Sequence, residues 1–378
     1  MRAALSFSGC HRRAGVERIM LECALFLVSQ GHEVDVFAHD YDPDEAPAVR
    51  FHDVPMRKQP YFLRDRSFFE ECTRRLHPGD YDVMGTFGTV CPVGGVHFVQ
   101  SIHKAWLERS RTLRAPLSAA RIGQRLNPLH RVLLDLEEYH FCQRRYRKVI
   151  ATTPQVRDDL KRLYGVPAED VVIIPNGFSP SEFSPERREA RRSEARAQLG
   201  LRPENVVLLF AANELERKGY GTILTAMRRL QRPEVRLLVI GKPDVSLVRR
   251  QAAQAGVTDQ VIACGLTQDV AFYHAASDLF VLPTQYEAYC LAILEALGSG
   301  LPVVTTCVPG AQDAIQVGIN GVLIDDPRSG DQLAAALEPL LEEGPRAALS
   351  AAAPETARQY QWPVVLKRYE ELLLDCQN

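Results

Sequence analysis

Short apolar runs alternate with longer amphipathic ones in a steady rhythm through the second half of this chain. VVLLFAAN (206–213), VRLLVIG (235–241), VIACG (261–265), LFVLPT (279–284), PVVTT (302–306) and GVLID (321–325) predict strands, being apolar at consecutive positions. Between them, TILTAMRRL (222–230) and LAILEALGSG (291–300) space their apolar residues for one helical face, the second with glycine at its end. Strands that are apolar on both faces and separated by helices mean a parallel sheet covered on each side. The first half repeats the theme less regularly. It opens with AALSF (3–7), a helix over 16–29 closed by Gly31, and EVDVFA (33–38). YDVMGTF (81–87), VHFVQ (96–100), KVIATT (148–153) and VVIIP (171–175) add strand candidates.

Two α/β halves therefore follow one another, which suits a length of 378 residues. The pattern divides the chain into a first domain over 1–180, an inter-domain linker over 181–203, a second domain over 204–358 and a helical segment over 359–378. The linker falls in the polar stretch PNGFSPSEFSPERREARRSEARAQLGLRPEN, punctuated by Pro and Gly. The last segment, VVLKRYEELLLD after Gln361-Trp362-Pro363, can cross back onto the first domain.

Composition narrows the function classes. With 24% charged and 46% hydrophobic residues the chain reads as a soluble globular protein, and a net charge of -2 gives no bias toward nucleic acid. The nine cysteines are scattered and never in a C-x-x-C pair, so neither a disulfide framework nor a zinc site is expected, and a reducing cytoplasm fits. The opening MRAALSFSGCHRR is too polar for a signal peptide, and no apolar run approaches the roughly 18 residues that span a bilayer. Any work at a membrane is expected from its surface, as a peripheral protein on the inner face.

The strongest chemical signal is QYEAYCLAILEALGSGLPVV. Glu287 lies just beyond a predicted strand end, and Glu295 follows inside the next helix. Ligands of doubly wound sheets gather at the carboxyl ends of strands, where a carboxylate can accept two hydrogen bonds from a sugar diol. The backbone N–H groups of Cys290, Leu291 and Ala292 begin that helix, and a helix N-terminus suits a diphosphate. Taken singly, either Glu could equally be a carboxylate compensating the helix dipole. As a pair, they resemble the E-x7-E signature of retaining glycosyltransferases of the GT-B fold, and in particular glycosyltransferase family 4. The likeness runs on through Gly-Leu-Pro-Val (300–303) and covers most of the chain in order. It most resembles bacterial members that glucosylate lipopolysaccharide core, in the runs ERKGYG and EAYCLAILEA.

That resemblance implies two Rossmann-like doubly wound domains facing a cleft, with a C-terminal helix returning to the first domain. The first domain would bind the acceptor and the second the nucleotide sugar. Arg217 and Lys218, in ANELERKGYGTILTAM, match the family positions that supply two cations to the donor diphosphate. Glu287 would hold the donor sugar and Glu295 the ribose. Gly15 matches a glycine of the family's Gly-Gly-x-Glu-Arg-like turn, with Ala14 in place of the first glycine. His103, in VHFVQSIHKAW, falls where relatives touch the sugar or acceptor, with Ser101 as the neighbouring alternative. The Gly265-Leu266-Thr267 backbone resembles the segment that contacts the base, and Ile174-Pro175-Asn176-Gly177 the inter-domain motif. Cys290 stands where relatives commonly carry Gly, which puts a side chain beside the diphosphate path.

The expected reaction is therefore transfer of a hexose from a nucleotide-diphosphate sugar, UDP-glucose or similar, to a hydroxyl of a glycan, glycolipid or small molecule. Asp40-Tyr41-Asp42 and Asp80-Tyr81-Asp82 match D-x-D, the metal-binding signature of the other major glycosyltransferase fold. The two α/β halves decide against it, so no metal and no cofactor is assigned, the nucleotide sugar being a co-substrate. Residues 103–148 carry eleven Lys or Arg against four acids. They form either a solvated face or, through the basic residues of 104–148, a patch for an anionic membrane or acceptor. The competing readings are a nucleotide-sugar epimerase of the same fold and a non-catalytic binding protein that retains it. A nicotinamide oxidoreductase lacks support, since no G-x-G-x-x-G follows either first strand.

Overall fold

The computed structural model describes residues 1–378 except 14, 92, 93, 114–118, 288 and 378. Ala14, and Arg114 of the basic segment, thus lie outside the described residues. The chain forms two compact units, Met1–Asn176 with Trp362–Asn378, and Gly177–Gln361.

The first unit holds a seven-stranded sheet of β1 (Arg2–Ser6), β2 (Glu33–Ala38), β3 (Arg50–Asp53), β4 (Val83–Phe87), β5 (Val96–Val99), β6 (Lys148–Ala151) and β7 (Val171–Ile173). Their order is β3-β2-β1-β4-β5-β6-β7, and every pairing is parallel. β1 and β4 are buried along nearly their whole length, as a sheet covered on both faces requires. The chain builds outward from β1 to one edge and then returns to β4 on the other side, so the order reverses between these two strands. Helix α1 (Gly15–Ser29) follows β1 and buries Ile19, Met20, Cys23, Ala24 and Leu27, at helical spacing. Helices α2 (His103–Leu113) and α3 (Pro128–Phe141) lie in sequence between β5 and β6.

The C-terminal helix, Trp362–Asp375, also belongs to this unit. Its buried stripe of Trp362, Val365, Leu366, Tyr369 and Leu373 repeats at three- and four-residue intervals. Tyr369 packs 4.9 Å from the Phe98 ring, and Glu370 meets His32 at 2.8 Å. Arg147 donates to the carbonyls of Cys376 and Gln377.

The second unit holds six parallel strands, β8 (Val206–Ala211), β9 (Val235–Ile240), β10 (Val261–Gly265), β11 (Leu279–Leu282), β12 (Val303–Thr306) and β13 (Gly321–Ile324). Their order is β10-β9-β8-β11-β12-β13. All six fall inside the apolar runs of the sequence, and the order reverses between β8 and β11. Both units are thus doubly wound α/β layers, as the resemblance implies.

One expectation is corrected. Residues 181–203, read as an inter-domain linker, contain helix α4 (Pro185–Gln198), which belongs to the second unit. Its Pro and Ser are start signals: Ser184 caps it, accepting from Arg187 N–H, and Pro185 fills the first turn where no N–H is needed. Arg188, Arg192 and Arg196 form one face at four-residue spacing. They donate to the carbonyls of Ala275, Ala276 and Ser277 at the end of helix α5 (Val270–Ala276), and Arg192 and Arg196 pair with the buried Asp278. The first unit accordingly ends at Asn176 rather than 180, and the chain re-enters it at Trp362 rather than 359.

Candidate functional site

Two loops meet where the strand order of the second unit reverses. After β8 the chain runs through Ala212, Asn213 and Glu214 into a single helical turn, Leu215–Lys218, which Gly219 ends with a left-handed φ of +85°. Only glycine fits there: a Cβ on Gly219 would lie 2.1 Å from the Pro283 carbonyl oxygen, beyond the end of β11. The β8 and β11 loops therefore touch at backbone distance. Gln285 N–H donates to the Arg217 carbonyl at 2.9 Å, and the Gln285 side-chain amide donates to that of Glu216 at 3.0 Å. Loops that diverge from neighbouring strands at such a reversal frame the usual ligand crevice of a doubly wound sheet.

Into this seam the fold brings Arg217, Lys218, Glu287 and Cys290. Glu287 is 8% exposed. Arg217 Nη1 donates to Glu287 Oε1 at 2.8 Å and to the Tyr286 carbonyl at 2.7 Å. Lys218 Nζ pairs with the same oxygen, Oε1, and lies 3.9 Å from Cys290 Sγ. Glu214 grips the other side of the guanidinium, with Oε2 3.3 Å from Nε and Oε1 3.2 Å from Nη2. Burial works against the Lys218 ammonium, but its contacts with the Cys290 sulfur and the Glu287 carboxylate outweigh it and hold its pKa above the ordinary value. For Arg217 burial is likewise overcome, by Glu287 and Glu214. Both groups are cations at neutral pH. Burial pushes the Cys290 thiol up, so it is a neutral, packed side chain.

Helix α6 (Leu291–Gly298) begins beside these residues. Cys290 is its N-cap, and the first-turn N–H groups of Leu291 and Ala292, which have no acceptor within the helix, form its positive end. Glu295 sits just over one turn further on, 7% exposed. Leu266 follows Gly265 at the end of β10 and is 74% exposed, an unusual place for a leucine.

The remaining candidates fall in the first unit. Gly15 is the exposed first residue of α1. His103 opens α2, with Nε2 3.0 Å from Nδ1 of His130 and its ring stacked 5.5 Å from Trp106. Burial, then the neighbouring His130, lowers the His103 pKa to about 4, so the ring is neutral. Glu137 of α3 accepts the N–H groups of His103 and Lys104 together with the Tyr164 hydroxyl. Ser101 is exposed. The two D-x-D matches are occupied locally. Asp40 pairs with Arg13 and His11, Asp42 caps a short turn, and Asp82 accepts Arg2 N–H. Among the described residues no group of three His, Cys, Asp or Glu is arranged to hold a metal.

Glu214 and Thr284 were not singled out from the sequence. Glu214 carried a signal, an acid three positions before Arg217 on a helical turn. Thr284 carried one too, as a polar residue at the mouth of a strand three positions before Glu287.

Residues 13–182 match the family described as Glycosyltransferase Family 4, and residues 191–359 match Glycosyl transferases group 1. A D-inositol 3-phosphate glycosyltransferase of Thermobispora bispora is 29% identical, over 95% of this chain and 89% of its own. The lipopolysaccharide glucosyltransferase WaaG of Escherichia coli is 27% identical, over 92% and 90%. A crystal structure of WaaG, a glycosyltransferase involved in lipopolysaccharide biosynthesis, shares the fold with a TM-score of 0.83, 23% identity, and 98% and 99% of the two chains covered.

Proposed function

The chain belongs to the GT-B glycosyltransferases, and from that premise we propose that it moves a hexose, with retention of configuration, from a UDP-sugar to a hydroxyl of a glycan, glycolipid or small molecule. The observation that carries this reading is the convergence of Arg217, Lys218 and Glu287 beside the N-terminus of α6, at the ends of two strands that are neighbours in the sheet but far apart in sequence. Two cations and a helix N-terminus suit a diphosphate, and a carboxylate among them suits a sugar hydroxyl. The likeness to a glucosyltransferase supports a glucosyl donor. The likeness to an inositol phosphate glycosyltransferase supports a small polar acceptor as the alternative.

In this reading Arg217, Lys218 and the N–H groups of Leu291 and Ala292 hold the diphosphate. Glu287 accepts from the hexose, Glu295 from the ribose, and the backbone around Leu266 meets the base. Charge grows on the leaving phosphate as the glycosidic bond breaks, and fixed cations at that position stabilise it without a divalent ion. The acceptor oxygen forms its bond to the anomeric carbon on the face the phosphate leaves, and the phosphate oxygen takes the acceptor's proton. No protein nucleophile is required. The acceptor, Gly15 and His103 are assigned to the first unit.

Thermal unfolding and transfer assays with UDP-, GDP- and ADP-hexoses test the proposal. A bound donor at a hundred times its Kd adds about 2.7 kcal/mol of stability. Loss of turnover in Lys218→Ala and Glu287→Ala is the supporting result. Absence of stabilisation by every nucleotide sugar favours the non-catalytic reading, and an altered sugar nucleotide released without acceptor favours the epimerase.

The basic segment supports a peripheral position on an anionic bilayer. Arg109, Arg111, Arg125 and Arg131 are exposed, and a helix over Ala119–Leu126 presents Ile122 at 51% and Leu126 at 74% exposure, one turn apart. Exposed cations flanking an apolar pair fit a headgroup surface. No helix of the described residues is long and apolar enough to cross a membrane. Sedimentation with phosphatidylglycerol but not phosphatidylcholine vesicles is expected, and equal binding to both overturns this reading.

A further inference from the structure

The contacts of Glu287 are lopsided. Arg217 Nη1, Lys218 Nζ and Thr284 Oγ1 all converge on Oε1. Oε2 accepts nothing from the described residues and is not among the buried atoms that lack a partner, so it faces solvent. The carboxylate is held by one oxygen and presents the other.

Thr284 is fully buried, two residues past β11. Its hydroxyl has one proton and three acceptors in reach: Glu287 Oε1 at 3.2 Å, the Tyr286 carbonyl at 3.2 Å and the Arg217 carbonyl at 3.3 Å. The Arg217 carbonyl has another donor, Gln285 N–H, and of the two acceptors that remain when Arg217 turns away the carboxylate oxygen draws the proton more strongly than the neutral Tyr286 carbonyl. The hydroxyl is therefore at liberty to serve the carboxylate. The Thr306 hydroxyl donates to the Thr284 carbonyl at 2.9 Å and fixes its backbone.

We infer that Thr284 is a positioning residue that keeps Glu287 aimed at the donor sugar when Arg217 and Lys218 turn to the diphosphate. The inference rests on the donor-site reading above. A dianion draws both cations, and Oε1 then loses its two strongest partners. Thr284 is neutral, has no attraction to phosphate, and stays. Its hydrogen bond to Oε1 holds the carboxylate plane, so Oε2 keeps its direction toward the sugar hydroxyl. A threonine hydroxyl does this better than another cation, which the phosphate would recruit as well.

The test compares Thr284→Val, nearly the same shape without the hydroxyl, with Thr284→Ser, which keeps it. Steady-state transfer is measured with the sugar nucleotide the parent protein uses, and UDP alone is the competitive inhibitor. Thr284→Val should lose about tenfold in kcat/KM, or ~1.4 kcal/mol. Its inhibition by UDP, which has no sugar for Glu287 to hold, should stay within about threefold, and Thr284→Ser should stay within about threefold of the parent on both measures. Should the thermal midpoint show that Val disturbs the packing, Thr284→Ala carries the same comparison. Unchanged kcat/KM without the hydroxyl, an equal loss of UDP affinity, or failure of Ser to rescue overturns the role of Thr284. No transfer by the parent with any nucleotide sugar overturns the functional reading itself.

Discussion

Replacing Glu287 by Gln removes the charge that both site cations face while keeping the shape. Arg217 keeps its two contacts to Glu214 and the Tyr286 carbonyl, whereas Lys218 keeps, among the described residues, only the Cys290 sulfur. Lys218 is therefore the group left stranded, with 12% of its side chain exposed against 10% for Glu287. At an effective dielectric of about 20, unit charges 4 Å apart attract by ~4 kcal/mol. Removing one partner of a buried pair costs about 3–5 kcal/mol, and the opening to solvent puts this case near the lower figure, about 3 kcal/mol. The unit spans residues 177–361, a size at which each kcal/mol moves the midpoint by about 2–4 °C, so thermal unfolding should fall by about 6–12 °C. Adding Lys218→Met should recover most of it, because the cost comes from the buried ammonium left without its partner and that charge is then gone. Calorimetry of UDP binding supplies the second readout. With no carboxylate competing for the cations, Glu287→Gln should bind UDP at least as tightly as the parent while losing sugar transfer. A midpoint unchanged within about 2 °C, no recovery in the double variant, or a loss of UDP affinity matching the loss of transfer would refute the reasoning.

Asp35 of β2 is buried against Arg2, Arg50 and His52. Burial alone would raise its pKa, but Tyr81, His52, Arg2 and Arg50 hold it below the ordinary 3.8. Its contribution is thus complete above the unfolded value and lost as pH falls through the folded one, so urea midpoints of the parent should drop on acidification below about pH 4 more steeply than those of Asp35→Asn. His103, neutral in the fold, should give an imidazole NMR titration midpoint near 4, against 6.5 unfolded. It withdraws stability as pH falls between those values, and a midpoint above about 6 contradicts the burial argument. Gly219→Ala forces a side chain into the left-handed region and against the Pro283 carbonyl. It should cost at least about 2 kcal/mol and weaken UDP binding in parallel, and an unshifted midpoint would show that the two loops are not pinned there.

The sequence by itself determined the layers. Every strand of the second unit was legible because a strand in a doubly covered parallel sheet is apolar on both faces, and that pattern is local. The C-terminal helix was legible for the same kind of reason, its apolar stripe at three- and four-residue intervals. Arg50–Asp53 escaped notice because it is an edge strand, paired on one side only and half-exposed. Helix α4 was missed since Ser184 and Pro185 serve equally as breakers and as start signals. Its Arg188, Arg192 and Arg196 face has a purpose only once Asp278 and the end of α5 lie across from it. The candidate site divides the same way. Its place at a strand end marked Glu287, while the family resemblance marked Arg217, Lys218 and Cys290. The tertiary structure alone decided that both cations and Thr284 share one oxygen of Glu287 and leave the other open. That arrangement depends on β8 and β11 being neighbours across the reversal of strand order, with the Gly219 and Pro283 backbones in contact. Hydrophobic periodicity records which face of an element is buried, but not which element buries it.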